Sequence, residues 1–160
     1  MFFSLWDTGE NADIRKGIYS RADAVMVCFP VVGYDEEISQ TLKYFFDESS
    51  KFCKHIFFVG TKTELRAGKD RAIQFKQGKE LAKELKGEAY LECSAQDNDG
   101  SVEEVFKEVA KRASTGKDQL DSLSLSPKTY NGLRRGSGLP TAIASLSRYF
   151  FRYQPHRLIH

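Results

Sequence analysis

The sequence predicts an α/β fold built on a parallel sheet, and two observations carry this prediction. Apolar runs of strand length recur along residues 1–113, and helical patterns separate them. A continuous run such as "AVMVCFPVV" is typical of a strand that is buried on both faces, as in a parallel sheet covered by helices. Alternating strands and helices indicate crossover connections between parallel strands.

The strands and helices can be assigned in order along the chain. The predicted strands are "FFSLW" (2–6), "AVMVCFPVV" (24–32), "HIFFVG" (55–60) and "EAYLECSA" (88–95). Helices are predicted at 36–52, where Ile38, Leu42 and Phe45 share one face, at 72–87, and from Ser101 to about residue 113. Ser101 and Glu104 have the spacing of a capping box. We expect at most one helical turn in the polar segment 11–23.

Charge divides the chain into a mildly acidic body and a basic tail. The formal net charge is +2, and residues 114–160 contribute seven Lys or Arg against two Asp, or +5, which leaves −3 for residues 1–113. An acidic body is not the pattern of a nucleic-acid-binding domain, so no nucleic-acid partner is expected. We expect the tail, rich in Ser and Gly, to be flexible and to make only weak, salt-sensitive contact with anionic membranes.

Near the C-terminus, "TAIASLSRYFFRY" contains aromatic and Arg residues. We interpret this stretch as an unpatterned end, with a short interfacial helix as the alternative.

The cysteines and histidines do not indicate a metal centre. Cys28, Cys53 and Cys93 lack the paired spacing of zinc or redox motifs, and the three His residues are scattered. We expect buried, reduced thiols and a cytoplasmic location. We expect no signal peptide and no membrane-spanning segment. We also expect no prenylation, because the sequence ends in "RLIH" and its last cysteine is Cys93.

The first strand ends in "DTGEN", an acidic residue followed by glycine at the carboxyl end of a strand. Open α/β sheets bind ligands at this edge. The alternative is a strand that runs into an ordinary polar turn.

Three loops, "DTGEN", "GTKTEL" and "ECSAQ", follow three strands in that order. Together they resemble the guanine-nucleotide motifs of Ras-like small GTPases, and "VGTKTELR" is similar to the Rho pattern Gly-Thr-Lys-x-Asp-Leu-Arg. The resemblance implies a three-layer Ras-like P-loop NTPase fold, bound GTP or GDP with Mg²⁺, and small-GTPase regulators and effectors as partners.

The resemblance also implies roles for individual residues. Asp7 would hold Mg²⁺ through water, and the Gly9 N–H would meet the γ-phosphate. On the base side, Thr61 would support its loop and Lys62 would lie along the base and ribose. Glu64 stands where the family has the Asp that accepts two N–H donors from guanine.

Backbone N–H groups around Ser94 and Ala95 would complete the base site by donating to the guanine carbonyl oxygen. The structural alternative for these residues is a set of solvated loop charges and a turn serine.

The sequence lacks the phosphate loop G-x-x-x-x-G-K-[ST] and the first switch of the family. We therefore expect a small-GTPase domain over 1–113 that is truncated at its N-terminus. The family's first strand, which lies between the third and the fourth, would be missing, so strand 2–6 would have an unpaired edge.

No catalytic residue is assigned. Glu10 stands where the family's water-orienting Gln belongs, and Glu64 is one methylene longer than the family's Asp. We therefore expect no GTP hydrolysis and weak nucleotide affinity. The alternatives are a pseudo-GTPase module that binds partners without nucleotide, and a gene fragment without independent function.

Overall fold

The computed structural model describes residues 4–9, 11–114 and 141–146, which form a parallel sheet with helices on both faces. The five strands are β1 (Ser4–Asp7), β2 (Ala24–Pro30), β3 (Ile56–Thr61), β4 (Ala89–Cys93) and β5 (Thr141–Leu146). Their spatial order is β1-β5-β2-β3-β4, and every pairing is parallel. The predicted α/β class with a parallel sheet is confirmed.

Four α-helices flank the sheet: α1 (Ala12–Tyr19), α2 (Glu36–Ser49), α3 (Phe75–Glu84) and α4 (Ser101–Ser114). The first three helices contribute to one buried cluster, and α4 packs against a second cluster on the opposite face. Helix, sheet and helix make the three layers that the resemblance implied.

Strands β2 and β3 are buried along their whole length, as their uninterrupted apolar sequence predicts. Along β2, Val25 and Val27 belong to the cluster under the first three helices, whereas Met26 and Cys28 belong to the cluster under α4. Each fully buried Val, Met or Phe side chain contributes roughly 1.5–3 kcal/mol relative to exposure. These two strands therefore anchor the sheet.

The segment expected to hold at most one helical turn forms α1 instead. Asn11 is its N-cap, and its Oδ1 accepts hydrogen bonds from the N–H groups of Asp13 (2.9 Å) and Ile14 (3.1 Å). The buried side chains of this helix are Arg15 and Tyr19. An inward face that carries an arginine has no apolar periodicity, so the pattern did not indicate a helix.

The predicted capping box at the start of α4 is wrong in its assignment of Ser101. The Ser101 Oγ accepts the Ser94 N–H at 3.0 Å and so serves the preceding loop. At the helix start, Asp99 Oδ1 accepts the Ser101 N–H at 2.9 Å instead. The serine therefore ties the loop after β4 to helix α4.

The largest departure from expectation is β5, which lies in the segment predicted as a flexible tail. It pairs with β1 from Ser4↔Thr141 to Asp7↔Ala144 and with β2 from Ala24↔Ala142 to Cys28↔Leu146. The expectation that β1 would have an unpaired edge on this side is therefore wrong. So is the interpretation of "TAIASL" as unpatterned or helical, whereas the rest of the tail and Glu10 lie outside the described residues.

Consequently, the sheet extends past the expected domain boundary at residue 113. In the described part of the chain, none of the helices is long and apolar enough to cross a membrane.

Candidate functional site

The base-side residues come together where β3 and β4 end side by side. Thr61, the last residue of β3, is the register partner of Cys93, the last residue of β4. The loop carrying Lys62 and Glu64 and the loop beginning at Ser94 therefore leave the sheet at the same level. This is the carboxyl edge of the sheet, where open α/β proteins bind ligands.

Thr61 holds its loop against the neighbouring strand. Its side chain is buried, and Oγ1 donates a hydrogen bond to the Phe29 carbonyl oxygen of β2 at 3.2 Å. Lys62 follows with a φ of 58°, in the left-handed region that few side-chain-bearing residues adopt. This turn leads into a single 3₁₀ turn, Thr63–Leu65, so the exposed Lys62 lies at a sharp change of chain direction.

Glu64 carries an unsatisfied polar atom at this edge. Its Oε2 is buried and has no hydrogen-bond partner among the described residues. A buried carboxylate oxygen without a donor costs free energy, so a ligand N–H at this position would be favoured. The carboxylate is also close enough to Cys93 to contribute to raising the pKa of that thiol.

The loop after β4 places Ser94 differently from the expectation. Ser94 is buried, and its N–H, expected to face a guanine oxygen, donates to Ser101 Oγ at 3.0 Å. Its own Oγ accepts the Asp97 N–H at 3.0 Å. Ser94 thus stabilises the loop, and the exposed Ala95 is the neighbouring residue whose N–H can serve a ligand.

Asp7 and Gly9 lie at the end of β1, three strand positions away from β3. Strands β5 and β2 separate β1 from β3, so at about 4.8 Å per strand the two parts of the site are roughly 14 Å apart. Asp7 is exposed and its Oδ1 accepts the Gly9 N–H at 3.5 Å, while Gly9 has a φ of 57° that favours glycine. Between them, Thr8 is buried and its Oγ1 has no partner in the described residues.

The fit of this region to Mg²⁺ rests on Asp7. Among the described residues, no group of three or more His, Cys, Asp or Glu side chains could hold a metal ion. Mg²⁺ prefers octahedral oxygen coordination and is commonly held by one or two carboxylates together with substrate phosphates and water. Asp7 therefore fits one contact to a hydrated, phosphate-bound ion and not an independent metal site.

The sequence does not predict the polar cluster of Arg66, Glu92 and Tyr90, which holds the base-side loop against β4. Arg66 forms an ion pair with Glu92 of β4, and its Nε donates to the Ile73 carbonyl oxygen at 3.1 Å. Tyr90 Oη donates to Glu92 Oε1 at 2.7 Å, and burial above all raises the pKa of that phenol. The motif "TELR" contains Arg66, but its partner Glu92 is 26 residues away and no local spacing reveals it.

A second missed contact joins α1 to α2. Arg15 Nε and Nη2 donate to the two carboxylate oxygens of Glu48, at 2.7 and 3.0 Å, and both side chains are more than 90% buried. Arg15 also reaches the Gly9 carbonyl oxygen at 3.5 Å. The pair therefore links the loop after β1 to the helical layer.

Two surface cavities, of about 410 and 600 Å³, do not coincide with the base-side residues. The smaller one lies between α2 and α3, and the larger one is lined by the segment from Thr63 to Gln74. Thr61, Lys62, Glu64, Ser94 and Ala95 line neither cavity. The feature of the base side that calls for a ligand is therefore the Glu64 Oε2 atom, which has no hydrogen-bond partner among the described residues.

The thiols near the site are held in their neutral form. Burial raises the pKa of Cys28 from 9.0 to about 12, and burial followed by the Asp99 and Glu64 carboxylates raises that of Cys93 from 9.0 to about 11. The three cysteines are free; Cys28 and Cys53 are buried as expected, whereas Cys93 is only partly buried.

These shifts predict a loss of stability at alkaline pH. Unfolding lets the thiols ionise above pH 9, so the free energy of unfolding should fall as the pH rises from 9 through 11, and below pH 9 the thiols should have no effect. Urea unfolding between pH 8 and 11 measures this slope. A Cys93→Ala chain should show a shallower decline, and identical slopes would contradict the assignment.

Comparison with known proteins identifies the family to which this chain belongs. The sequence profile of the Ras family matches residues 1–115, so the chain belongs to the Ras family.

The similar curated proteins are Rho-related. They include Rho-related GTP-binding protein RhoH of Mus musculus, with 36% identity over 110 residues, and RhoE of Homo sapiens, with 30% over 118 residues. RhoF of Mus musculus is 31% identical over 125 residues. These alignments cover 64%, 64% and 69% of this chain and 57%, 48% and 58% of the relatives. The chain, a Rho-like small GTPase sequence, thus spans about half the length of the curated relatives it matches.

Proposed function

We propose that this chain binds guanine nucleotide through the base, weakly, and does not hydrolyse GTP. The proposal is carried by the buried Oε2 of Glu64 at the carboxyl edge, which has no hydrogen-bond partner in the part of the chain that the structure describes. Guanine presents two N–H donors on one side of the ring, and a carboxylate accepts both. Adenine has no such pair, so this contact would discriminate the two bases.

Residues at the same edge support the remaining base contacts of the proposal. Lys62, exposed at the turn after β3, would lie along the base and ribose. The guanine carbonyl oxygen would accept from the Ala95 N–H, because the Ser94 N–H already donates to Ser101. Thr61 would act indirectly, by holding its loop to Phe29.

On the phosphate side, Asp7 and Gly9 would supply only a small part of the binding energy. Bound Mg²⁺ would neutralise phosphate charge there, and Asp7 would accept hydrogen bonds from its water ligands. The 160 residues contain no Gly-rich loop with Lys and Ser or Thr to enclose the β- and γ-phosphates. We therefore propose that these 160 residues do not hydrolyse GTP by themselves and act as an interaction module with Rho-type regulators or effectors as partners.

Competition against a fluorescent guanine nucleotide tests the base contact. GDP, GMP and guanosine should compete within about tenfold of one another, because the base supplies most of the contact, and ADP should compete at least about tenfold less well. Equal competition by GDP and ADP would contradict the proposal.

Variants at Glu64 test the residue itself. Glu64→Ala should weaken guanosine binding by about tenfold, and Glu64→Asp, which restores the length of the family's carboxylate, should strengthen it by a similar factor. Glu84→Ala, an exposed glutamate of α3, removes the same charge away from the edge and should leave binding unchanged. Equal affinities for all four chains would exclude Glu64 from the site.

A second candidate function is partner binding without nucleotide. It is supported by the exposed apolar side chains around β1 and the neighbouring helices, namely Leu5, Trp6, Ile14 and Tyr44. Capture of a Rho-type regulator by nucleotide-free chain, undiminished in Glu64→Ala, would favour this candidate.

A further inference from the structure

The sheet is completed by a strand from a distant part of the chain. Strand β5 lies between β1 and β2, although 26 residues, 115–140, separate it from the end of α4. It also lies beyond residues 1–115, to which the Ras-family match extends. The position that it fills is the one expected for the family's first strand.

The two strands that flank this position, β2 and β1, form the walls of a gap and differ in their burial and in their pairing with other strands. Strand β2 is buried at every residue and pairs with β3 over six positions, so one wall belongs to the central core. Strand β1 pairs, within the described residues, with β5 alone. Without β5, both walls would present unpaired N–H and C=O groups to solvent.

The residue pairs of β5 with β1 and with β2 define the length and direction of the segment that fits between these two strands. Ala142 is the partner of both Leu5 and Ala24, and Ile143 is the partner of both Trp6 and Val25. Thus one extended segment of six residues, parallel to its neighbours, connects four positions of β1 to five of β2.

We propose that the gap between β1 and β2 is a binding site for one extended peptide strand in parallel orientation, and that Thr141–Leu146 occupies it as an intramolecular ligand. A free peptide of the same sequence can then take its place. Backbone hydrogen bonds to both walls supply the affinity, as in recognition by strand addition. Occupancy controls whether β1, and with it the Asp7–Gly9 turn, belongs to the sheet.

Disulfide trapping in the full chain tests the register. Register partners on adjacent strands lie about 4.8 Å apart, a separation that a disulfide spans. Oxidation of a Leu5→Cys/Ala142→Cys chain should therefore give an intramolecular disulfide at least about tenfold faster than a Leu5→Cys/Ser145→Cys chain, where the shift of three residues adds about 10 Å. Leu5 is exposed, so its replacement disturbs little. Equal rates, or disulfide-linked dimers as the main product, would overturn the proposal.

Hydrogen exchange tests the replacement by a free peptide. An Ile143→Pro chain lacks one ladder donor, so the amides of β1 and of Ala24–Cys28 should exchange at least about tenfold faster than in the matched Ile143→Val chain. Adding a synthetic peptide of residues 139–148 should restore their protection, and a scrambled peptide should not. Unchanged exchange of β1 in the proline chain, or no difference between the two peptides, would overturn the proposal.

If Ile143→Pro also lowers the protection of amides in β3 and β4, the disulfide comparison decides whether the proposal holds. The cysteine substitutions leave every backbone donor in place. Both measurements are made without nucleotide, so their outcome is independent of the proposed guanine binding.

Discussion

Replacing Glu48 with alanine is expected to lower the free energy of unfolding by about 3–5 kcal/mol. The Glu48 carboxylate accepts two hydrogen bonds from Arg15, and its removal leaves the guanidinium charge buried between α1 and α2. The carboxylate also holds the pKa of Arg15 above its ordinary value, chiefly through these hydrogen bonds. Urea unfolding of Glu48→Ala beside the parent chain measures the loss.

The neighbouring residue provides the matched control. Asp47→Ala removes the same charge from the exposed face of the same helix and should change stability by no more than about 0.5 kcal/mol. The double variant Arg15→Met/Glu48→Leu should recover most of the loss, because no buried charge then lacks a partner. An effect of Glu48→Ala as small as that of Asp47→Ala would show that the pair is open to water.

Gly78→Ala in α3 is expected to destabilise the chain by about 1–3 kcal/mol, although the same change usually stabilises a helix. A methyl group at this position would lie 2.7 Å from Tyr90 Cδ1 and closer still to two other atoms of that ring. The Tyr90 ring cannot yield easily, because its hydroxyl is hydrogen-bonded to Glu92, which pairs with Arg66. Thermal or urea unfolding measures the effect.

Gly17→Ala in α1 is the control for helix propensity. A methyl group there meets no atom within 4 Å, so this variant should be more stable by up to about 1 kcal/mol. A gain of stability in both variants would mean that the Tyr90 ring moves aside.

The central strands β2 and β3 could be predicted because a continuous apolar sequence indicates a strand that is buried on both faces. Strand β2 needs no particular neighbour to be recognised, since all seven of its residues are buried. Strand β5 is different, because "TAIASL" becomes a strand only between two partners more than one hundred residues away. Pairing of this kind depends on tertiary context and leaves no local pattern.

The residues of the candidate site also differ in whether the local sequence predicts their role. The motif "GTKTEL" predicts Glu64 as a site residue because its position in the loop is local, and this assignment stays a prediction. The hydrogen bond from the Ser94 N–H could not be predicted, because its acceptor, Ser101, belongs to the next helix, where the sequence predicts a cap. The Arg15–Glu48 pair was missed because its partners are 33 residues apart.

The position of β5 also bears on the order in which the chain can fold during synthesis. Ser4 and its register partner Thr141 are 137 residues apart, so Thr141 leaves the ribosome well after Ser4. At about 5–20 residues per second, β1 waits roughly 7–27 s for the strand that joins it to the sheet. Leu5 and Trp6, which are exposed even in the folded chain, can contact chaperones or other nascent chains throughout this interval, so we expect slower translation to lower the yield.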